Sequence, residues 1–376
     1  MQRRVFLAGA AAWGTMPAVL KAAEPGVGET EIVLGHTGIH SGPLGVPVKA
    51  FLAGAQMAFD DINAGGGVAG RRLKLVTLDD ELKPDLAVAN CRRLLDEHKV
   101  FAFFGNVGSG TTAAVAPLLK ESGAPLVGAY AVADSAREKA AGAAYFVRAT
   151  TGREAQVLVQ HLTTIGIRRI GAAYLDVAGG HEAFGHIQAA LKTHGLEPHA
   201  SAPVKGDGSN VAEAARILAE RQPQAVIMYL AGALPGELMK ATWAQSSGTS
   251  FYGMSIVAGE VTAKVLDRRS RGLAISQVMP YPWGEVEPVI REYRQAAGKA
   301  KVAVGYNSLE GFLNARLLIE ALRRTGRELT RARLHATLRG LRMRMAGMDL
   351  DFTGSQSTGS RFVELVQVTH EGRFVR

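Results

Sequence analysis

Apolar and polar positions alternate along this 376-residue chain in two rhythms. Short apolar runs closed by glycine-containing turns are typical of buried strands, and apolar residues spaced three or four positions apart are typical of amphipathic helices. The first rhythm predicts strands at 31–35, 73–78, 101–104, 125–127, 170–174, 225–229, 251–254 and 273–278. The second predicts helices at 46–63, 86–98, 112–123, 154–165, 184–194, 211–221 and 234–246.

Two successive series of strand and helix predict an α/β fold class with two doubly wound parallel-sheet lobes, because parallel strands need helical crossovers that cover both sheet faces. The chain length also favours two domains over one ordinary core. Near the end, residues 360–368 alternate as a strand, Glu371-Gly372 predicts a hairpin turn, and residues 373–375 predict a short closing strand.

The stretch 58–76, AFDDINAGGGVAGRRLKLV, contains a helix end, a glycine turn and a strand, in that order. It resembles the first helix–turn–strand unit of type I periplasmic solute-binding proteins, the branched-chain amino-acid-binding (Leu/Ile/Val-binding-like) family of ABC importers. The resemblance implies two lobes joined by three crossover segments, which we expect near 149–150, 279–280 and 349–352. Lobe 1 would comprise residues 24–149 and 280–350, and lobe 2 residues 150–279 and 351–376.

Residues 1–23 have the pattern of a cleavable export signal, with Arg3 and Arg4 before an apolar stretch that is too short and weak to span a bilayer. The arginine pair fits an ordinary Sec signal and a twin-arginine signal equally. The sole cysteine, Cys91, lies far from this segment in an amphipathic helix pattern, which predicts a buried thiol, no internal disulfide and no lipid anchor. We therefore expect a free periplasmic protein.

The net charge of +9 is concentrated in residues 323–344, where eight arginines face Glu328 alone. The segment has a helical pattern and predicts a solvated helix face; a docking patch for an acidic partner or an anionic membrane is the alternative. No aromatic residues are interleaved with the arginines, so we expect no nucleic-acid partner.

Several motifs come close to known catalytic or cofactor sites and fail on context. The glycines at 65–70 satisfy G-x-G-x-x-G but follow a helix and open a strand, the reverse of a dinucleotide fingerprint. The loop at 105–112 resembles a Walker A loop, with Thr111 in place of its lysine. His181 and His186 miss the zinc-helix spacing by one residue, and Ser109 lacks a nucleophile elbow. We expect no metal, no cofactor and no enzymatic activity.

The helix that starts near Ser109 offers free backbone amides and hydroxyl groups, which suit a ligand carboxylate, although simple capping is the alternative. By the resemblance, Ser109 falls on the family's carboxylate-binding serine, and the ligand cleft is lined by loops that follow strands of both lobes. The resulting candidate ligand-binding residues are His40, Ser41, Ser109, Gly110, Thr111, Tyr130, Ala131, Val132, Asp176, Val177, Ala231, Ser255, Val257 and Tyr281.

Amino-acid binders of this family hold the ligand ammonium with a threonine and an acidic residue. The corresponding positions here read Val132 (or Ala133) and Ser255. A buried ammonium without a carboxylate partner costs several kcal/mol, so we expect a ligand that is not an ordinary α-amino acid. An aromatic or aliphatic carboxylate, or a larger lipid- or sterol-like molecule, fits the apolar walls. Asp176 could supply a substitute charge, which keeps an amino-acid ligand as an alternative.

The resemblance implies capture of this ligand by hinge closure and its delivery to an ABC permease in the inner membrane. The same fold also serves as the ligand-sensing component of signalling receptors, and the sequence does not separate these two roles.

Overall fold

The computed structural model describes residues 24–257, 259–266, 273–354, 358–369 and 373–376. The predicted export signal at 1–23 and the predicted hairpin turn at 371–372 lie outside them. The strands are β1 Glu31–Gly38, β2 Arg72–Asp79, β3 Ala102–Phe104, β4 Leu126–Val127, β5 Ala144–Tyr145, β6 Ile170–Leu175, β7 Ala200–Val204, β8 Ala225–Tyr229, β9 Ser250–Gly253, β10 Leu273–Gln277, β11 Arg342–Met345, β12 Met348–Asp351, β13 Glu364–Val368 and β14 Phe374–Val375. The helices are α1 Gly42–Ala64, α2 Pro84–Asp96, α3 Ser109–Ser122, α4 Asp134–Lys139, α5 Thr151–Thr164, α6 Ala178–Lys192, α7 Val211–Arg221, α8 Leu234–Trp243, α9 Gly259–Leu266, α10 Pro288–Ala300, α11 Tyr306–Thr325 and α12 Arg331–Arg339.

The strands form two main sheets, which confirms the predicted α/β class with two parallel-sheet lobes. The first sheet has the order β2-β1-β3-β4-β5 and is parallel throughout. The second has the order β14-β13-β10-β9-β8-β6-β7, in which β6 to β10 are parallel. The closing strands β13 and β14 add to this sheet in antiparallel register, with Leu273 opposite Val368.

The chain passes from the first sheet to the second between β5 and β6. After β10 it returns to the first sheet, against which α10, α11 and α12 pack. We expected the third crossover near 349–352, but residues 349–351 belong to strand β12, which pairs with β11 in a separate ribbon. The chain reaches the second sheet only at Glu364. The exact lobe boundaries stay a prediction.

The pattern of the arginine-rich segment 323–344 predicted a helix, but the segment is helical only in part. It contains the end of α11, the helix α12 and the strand β11, whose Arg342 and Arg344 alternate with Met343 and Met345. This period of two places Met345 in the core, only 5% exposed, while both arginines stay in solvent. The two methionines, spaced two positions apart, were the signal for a strand.

The core of the first lobe lies between its sheet and the helix pair α1 and α11. Phe51, Phe59 and Phe104 form its aromatic centre, with ring centroids 5.3 to 5.8 Å apart. The two helices approach closely because glycines face the partner backbone on each side. A Cβ on Gly54 would lie 1.8 Å from the Ser308 carbonyl oxygen, and one on Gly311 would lie 1.8 Å from that of Phe51.

Candidate functional site

A cavity lies between the two sheets, where loops that follow strands of both come together. Water-sized molecules can be centred in about 20 Å³ of it, and the wider space of about 330 Å³ not filled by protein atoms includes open solvent. Open α/β sheets bind ligands at this end of their parallel strands. The lining residues are Ala131, Val132, Arg137, Arg148, Ala149, Thr151, Glu154, Tyr229, Ser255 and Ile256.

A chain of hydrogen bonds crosses this cavity through Ser255, which follows β9. Arg148, just after β5, donates from Nη2 to the Ser255 Oγ at 2.8 Å. The Ser255 hydroxyl in turn donates to Glu154 Oε1 at 2.8 Å, and its backbone N–H donates to Glu154 Oε2 at 2.7 Å. Ser276 on β10 donates to the same Oε2 at 2.7 Å. Glu154, in the first turn of α5, is therefore held as an acceptor by the second sheet.

Arg148 also lies beside a second buried acid, Glu310 of α11, with 3.7 Å between Arg148 Nε and Glu310 Oε1. Its guanidinium covers the ring of Tyr130, 5.4 Å from the ring centroid. Burial raises the pKa of the Glu310 carboxyl, and the charge of Arg148 opposes that rise. One buried cation thus faces carboxyl groups from both lobes.

The second arginine of the cavity, Arg137, makes its hydrogen bonds mainly to backbone carbonyl groups. Its guanidinium donates to the carbonyl oxygens of Val132, Arg148 and Ala149 at 2.9 to 3.1 Å. Burial lowers the pKa of Arg137 to about 10, so it remains protonated at neutral pH. These bonds fix the loop after β4 against the segment that leads out of the first lobe. Arg148 is then the cation whose guanidinium is directed at the side chains of the cavity.

Tyr229, at the end of β8, supplies a further polar group to the wall. Burial, strengthened by the charge of Glu154, raises the pKa of Tyr229 to about 12. Its hydroxyl therefore stays protonated at neutral pH and can donate a hydrogen bond to a ligand oxygen.

The sequence profile of the periplasmic binding protein family matches residues 31–373. The chain belongs to this family. Its members of the Leu/Ile/Val-binding branch have the two-lobed type I architecture described above, and the family is one of binding proteins. The solved structure of a substrate-binding periplasmic protein from Ralstonia solanacearum is 29% identical, covers 92% of this chain and 99% of its own, and superimposes with a TM-score of 0.83.

Two curated relatives of this periplasmic binding protein match over shorter segments. An amino acid binding protein of Pseudomonas aeruginosa is 37% identical over 93 residues, which are 25% of each chain. The Leu/Ile/Val-binding protein homolog 7 of Brucella suis is 27% identical over 191 residues, 48% of this chain and 47% of that protein. The matches thus span less than half the length of these relatives.

Of the residues that the sequence proposed for ligand binding, Ala131, Val132 and Ser255 line the cavity together. Tyr130 lies next to them under Arg148, and its hydroxyl donates to Asn307 Oδ1 at 2.9 Å. These four come from loops of both lobes that the sequence had placed at one cleft.

Ser109 is the first residue of α3, and its Oγ accepts the backbone N–H of Ala133 at 2.9 Å. It therefore joins the helix start to the loop that carries Val132. Gly110 beside it is exposed. The Thr111 hydroxyl turns back to the carbonyl oxygens of Val107 and Gly108 in its own turn. None of Ser109, Gly110 and Thr111 is among the residues that line the cavity, and a carboxylate seat at this helix start stays a prediction.

The remaining proposed residues of the first lobe lie at the start of α1. The ring of His40 stacks on that of His36, with centroids 5.2 Å apart, and its backbone N–H donates to Asp79. Ser41 is exposed and precedes the helix without a side-chain capping bond.

In the second lobe, Asp176 pairs with His181 at 2.8 Å, and Val177 is 51% exposed. Ala231 lies half-buried in the turn after β8. Val257 is packed in the core of the second sheet. Tyr281, which follows the predicted second crossover, donates from its hydroxyl to the Phe374 carbonyl oxygen at 2.9 Å. The structure does not gather these side chains around the cavity.

The expectation that Ser255 leaves the second lobe without an acid at this point needs a correction. Glu154 stands directly behind it, bonded to both its hydroxyl and its backbone. Sequence reasoning missed Arg148, Glu154 and Glu310 as cavity residues. Their signal was weak: Arg148 directly precedes the predicted crossover, and Glu154 opens the first helix after it.

Among the described residues, no group of three or more His, Cys, Asp or Glu side chains is arranged to hold a metal ion. Within the same ranges, none of the helices has both the length and the apolar character that a bilayer crossing requires.

Proposed function

We propose that this protein is a periplasmic solute-binding protein that captures a small organic ligand between its lobes by hinge closure and delivers it to an ABC-type importer. The observation that carries the proposal is the position of the cavity, which is walled by loops of both sheets. A ligand there is buried only when the lobes meet, so binding energy and closure are coupled. Residues 1–23 would direct export by the Sec or the twin-arginine route.

The ligand we propose is an aromatic or aliphatic carboxylate, or another largely apolar molecule, without an amine. Ala131, Val132 and Ile256 supply apolar wall to the cavity. The start of α3 does not line the cavity, but the bond from Ala133 to Ser109 joins it to the loop that carries Val132, and it offers backbone donors for a carboxylate. Arg148 already lies beside both Glu154, through Ser255, and Glu310. Part of the buried negative charge is therefore compensated by Arg148 before a ligand binds.

Thermal-shift screening of the purified protein against aromatic acids, aliphatic acids, fatty acids and amino acids tests this proposal. A ligand that binds only the native state raises the free energy of unfolding by about 2.7 kcal/mol at a concentration a hundredfold above Kd. This stabilisation appears as a higher melting temperature. We expect the shift with a carboxylate that lacks an amine. A shift with none of these classes would contradict the ligand assignment.

The role of the α3 start can be tested by Ser109→Ala. We expect it to weaken binding of an acidic ligand by about 1–3 kcal/mol, because the loop bond to Ala133 and a polar group of the seat are both lost. Ser122→Ala is the matched control, since Ser122 makes comparable local bonds at the opposite end of the same helix. Titration calorimetry measures both; equal affinities in the two variants would refute the carboxylate seat.

An amino-acid ligand is the second candidate, and Glu154 is the observation that favours it, because its carboxylate could stabilise an ammonium that displaces Arg148 from Ser255. The names of the Pseudomonas and Brucella relatives agree with this candidate. A role as the sensing component of a signalling receptor uses the same capture step. Purification of the protein with an ABC permease or with a sensor kinase would separate transport from sensing.

A further inference from the structure

We propose that Arg148 is a built-in counter-cation of the cavity and the residue that makes this protein reject ligands carrying an amine. The inference rests on the proposed capture of a carboxylate in the cavity between the lobes, and it identifies the side chain that sets the ligand class.

The acids of the cavity are deeply buried. Glu154 is 5% exposed and Glu310 3%, and Arg148 itself is 8% exposed. A carboxylate withdrawn from water to this extent needs a cation or several hydrogen bonds. Glu154 accepts hydrogen bonds from Ser255 and Ser276, and the Ser255 hydroxyl that donates to it accepts a bond from Arg148. Glu310 has Arg148 at 3.7 Å, and its Oε1 has no hydrogen-bond partner.

Arg148 is held in this place from several sides. Its backbone oxygen accepts a bond from Arg137 at 3.0 Å, the Tyr130 ring lies under its guanidinium, and Ser255 accepts its Nη2–H from the opposite lobe. A guanidinium so fixed cannot leave easily when a ligand arrives. An ammonium in the same cavity would meet a like charge at low dielectric, where repulsion is strong.

A direct bond between Arg148 and the ligand carboxylate is the competing role for this side chain. It would bring a third anion next to Glu154 and Glu310, which already share the charge of Arg148. The start of α3 offers an anion partners without that cost, because its amides and helix dipole favour negative charge. The geometry thus favours Arg148 as partner of the protein's own acids.

Matched pairs of probes that differ only in the amine test this inference: 4-methylpentanoate against leucine, and 3-phenylpropanoate against phenylalanine. Titration calorimetry on the purified protein gives the ratio of affinities within each pair. We expect the wild type to prefer the acid. In Arg148→Met, which keeps much of the side-chain volume, the uncompensated acids should move this ratio toward the amino acid by about 30-fold or more.

Two further variants serve as controls. Arg148→Lys keeps the positive charge and should keep the preference for the acid, even if Arg148→Met fails to fold. The double variant Arg148→Met/Glu310→Gln removes one charge of each sign, and it should lose most of the gain for the amino acid. A Lys variant that binds leucine as well as the acid would overturn the inference.

The outcomes separate the two proposals. Wild-type protein that binds the acids, together with an Arg148→Met variant that loses them without any gain for amino acids, overturns the inference and leaves the proposed function intact. Wild-type protein that binds neither acid, or that prefers the amino acids, contradicts the proposed ligand class and the inference with it.

Discussion

His36 on β1 shows how strongly burial controls a single ionisable group in this protein. The side chain is fully buried, its Nδ1 lies 3.1 Å from the Phe104 carbonyl oxygen, and His40 stacks on its ring. Burial, with a further contribution from the charge of His40, lowers the pKa of His36 from 6.5 to about 3. At neutral pH the ring is neutral, and its Nδ1–H can donate to Phe104.

This pKa shift predicts a loss of stability in acid. Between pH 6.5 and about 3, His36 binds a proton in the unfolded chain and not in the native protein. The free energy of unfolding should therefore fall as the pH falls through this window, by about 1.4 kcal/mol per pH unit from this residue. Urea denaturation of wild type and His36→Gln between pH 7 and 4.5 measures it. Equal pH slopes in the two proteins would contradict the assignment.

At the scale of elements, the contact between α1 and α11 depends on two glycines. Because a Cβ on Gly311 would overlap the Phe51 carbonyl oxygen, the helices would have to move apart in Gly311→Ala. We expect this substitution to lower the free energy of unfolding by about 3 kcal/mol, at the upper end of overpacking effects. Chemical denaturation measures the change.

Gly185→Ala is the matched control, since Gly185 is exposed in the interior of α6 and nothing lies within 4 Å of its Cβ position. There the better helix propensity of alanine should stabilise the protein by about 0.5–1 kcal/mol. Two substitutions of the same chemistry would thus have opposite signs. Destabilisation of similar size at both sites would show that close helix packing is not the cause.

The elements that the sequence predicted are those with a clear period or a pure apolar run. β8 and α7 were predicted with their observed bounds, because Ala225–Tyr229 is continuously apolar and Val211–Arg221 is strongly amphipathic. β5 has only two residues, which is too short for a pattern. α11 is buried on most of its surface, so its apolar residues do not form one stripe.

The candidate site was predicted only in part for a similar reason. Ser255 could be placed at the cleft because it follows a strand, and strand ends share one edge of a parallel sheet. Its partners Arg148 and Glu154 lie more than a hundred positions away in sequence. Local patterns carry no information about such pairs, which arise when the two lobes come together.

At the scale of the whole molecule, a second contact joins the lobes at the edge of the cavity. Asp134 at the start of α4 accepts the backbone N–H groups of Thr151 and Gly152 at the start of α5, each at 3.0 Å. Ser135 donates from its backbone N–H to Glu182 of α6 at 2.9 Å, and its hydroxyl also donates to Glu182. Two elements of the second lobe are thereby held to one short helix of the first.

We expect Glu182→Ala to weaken ligand binding by about 1–3 kcal/mol, because two hydrogen bonds to a charged group that favour the closed arrangement would be lost. The residue does not line the cavity, so the effect would come through closure. Calorimetric affinity of the variant measures it. Glu197→Ala, at an exposed position of the same lobe, is the control. Unchanged affinity in Glu182→Ala would show that this contact does not contribute to closure.

The antiparallel pairing of β10 with β13 has a consequence for how the chain is assembled. Leu273 of β10 pairs with Val368 of β13, which lies after α10, α11 and α12 in the chain. The second sheet therefore cannot be completed until these three helices have been synthesised. Closing so long a loop costs entropy before the strand pairing compensates it, which slows folding. The second sheet is therefore completed after the last helices of the first lobe, and a ribosome-bound chain that ends before Glu364 would carry an open strand edge at β10.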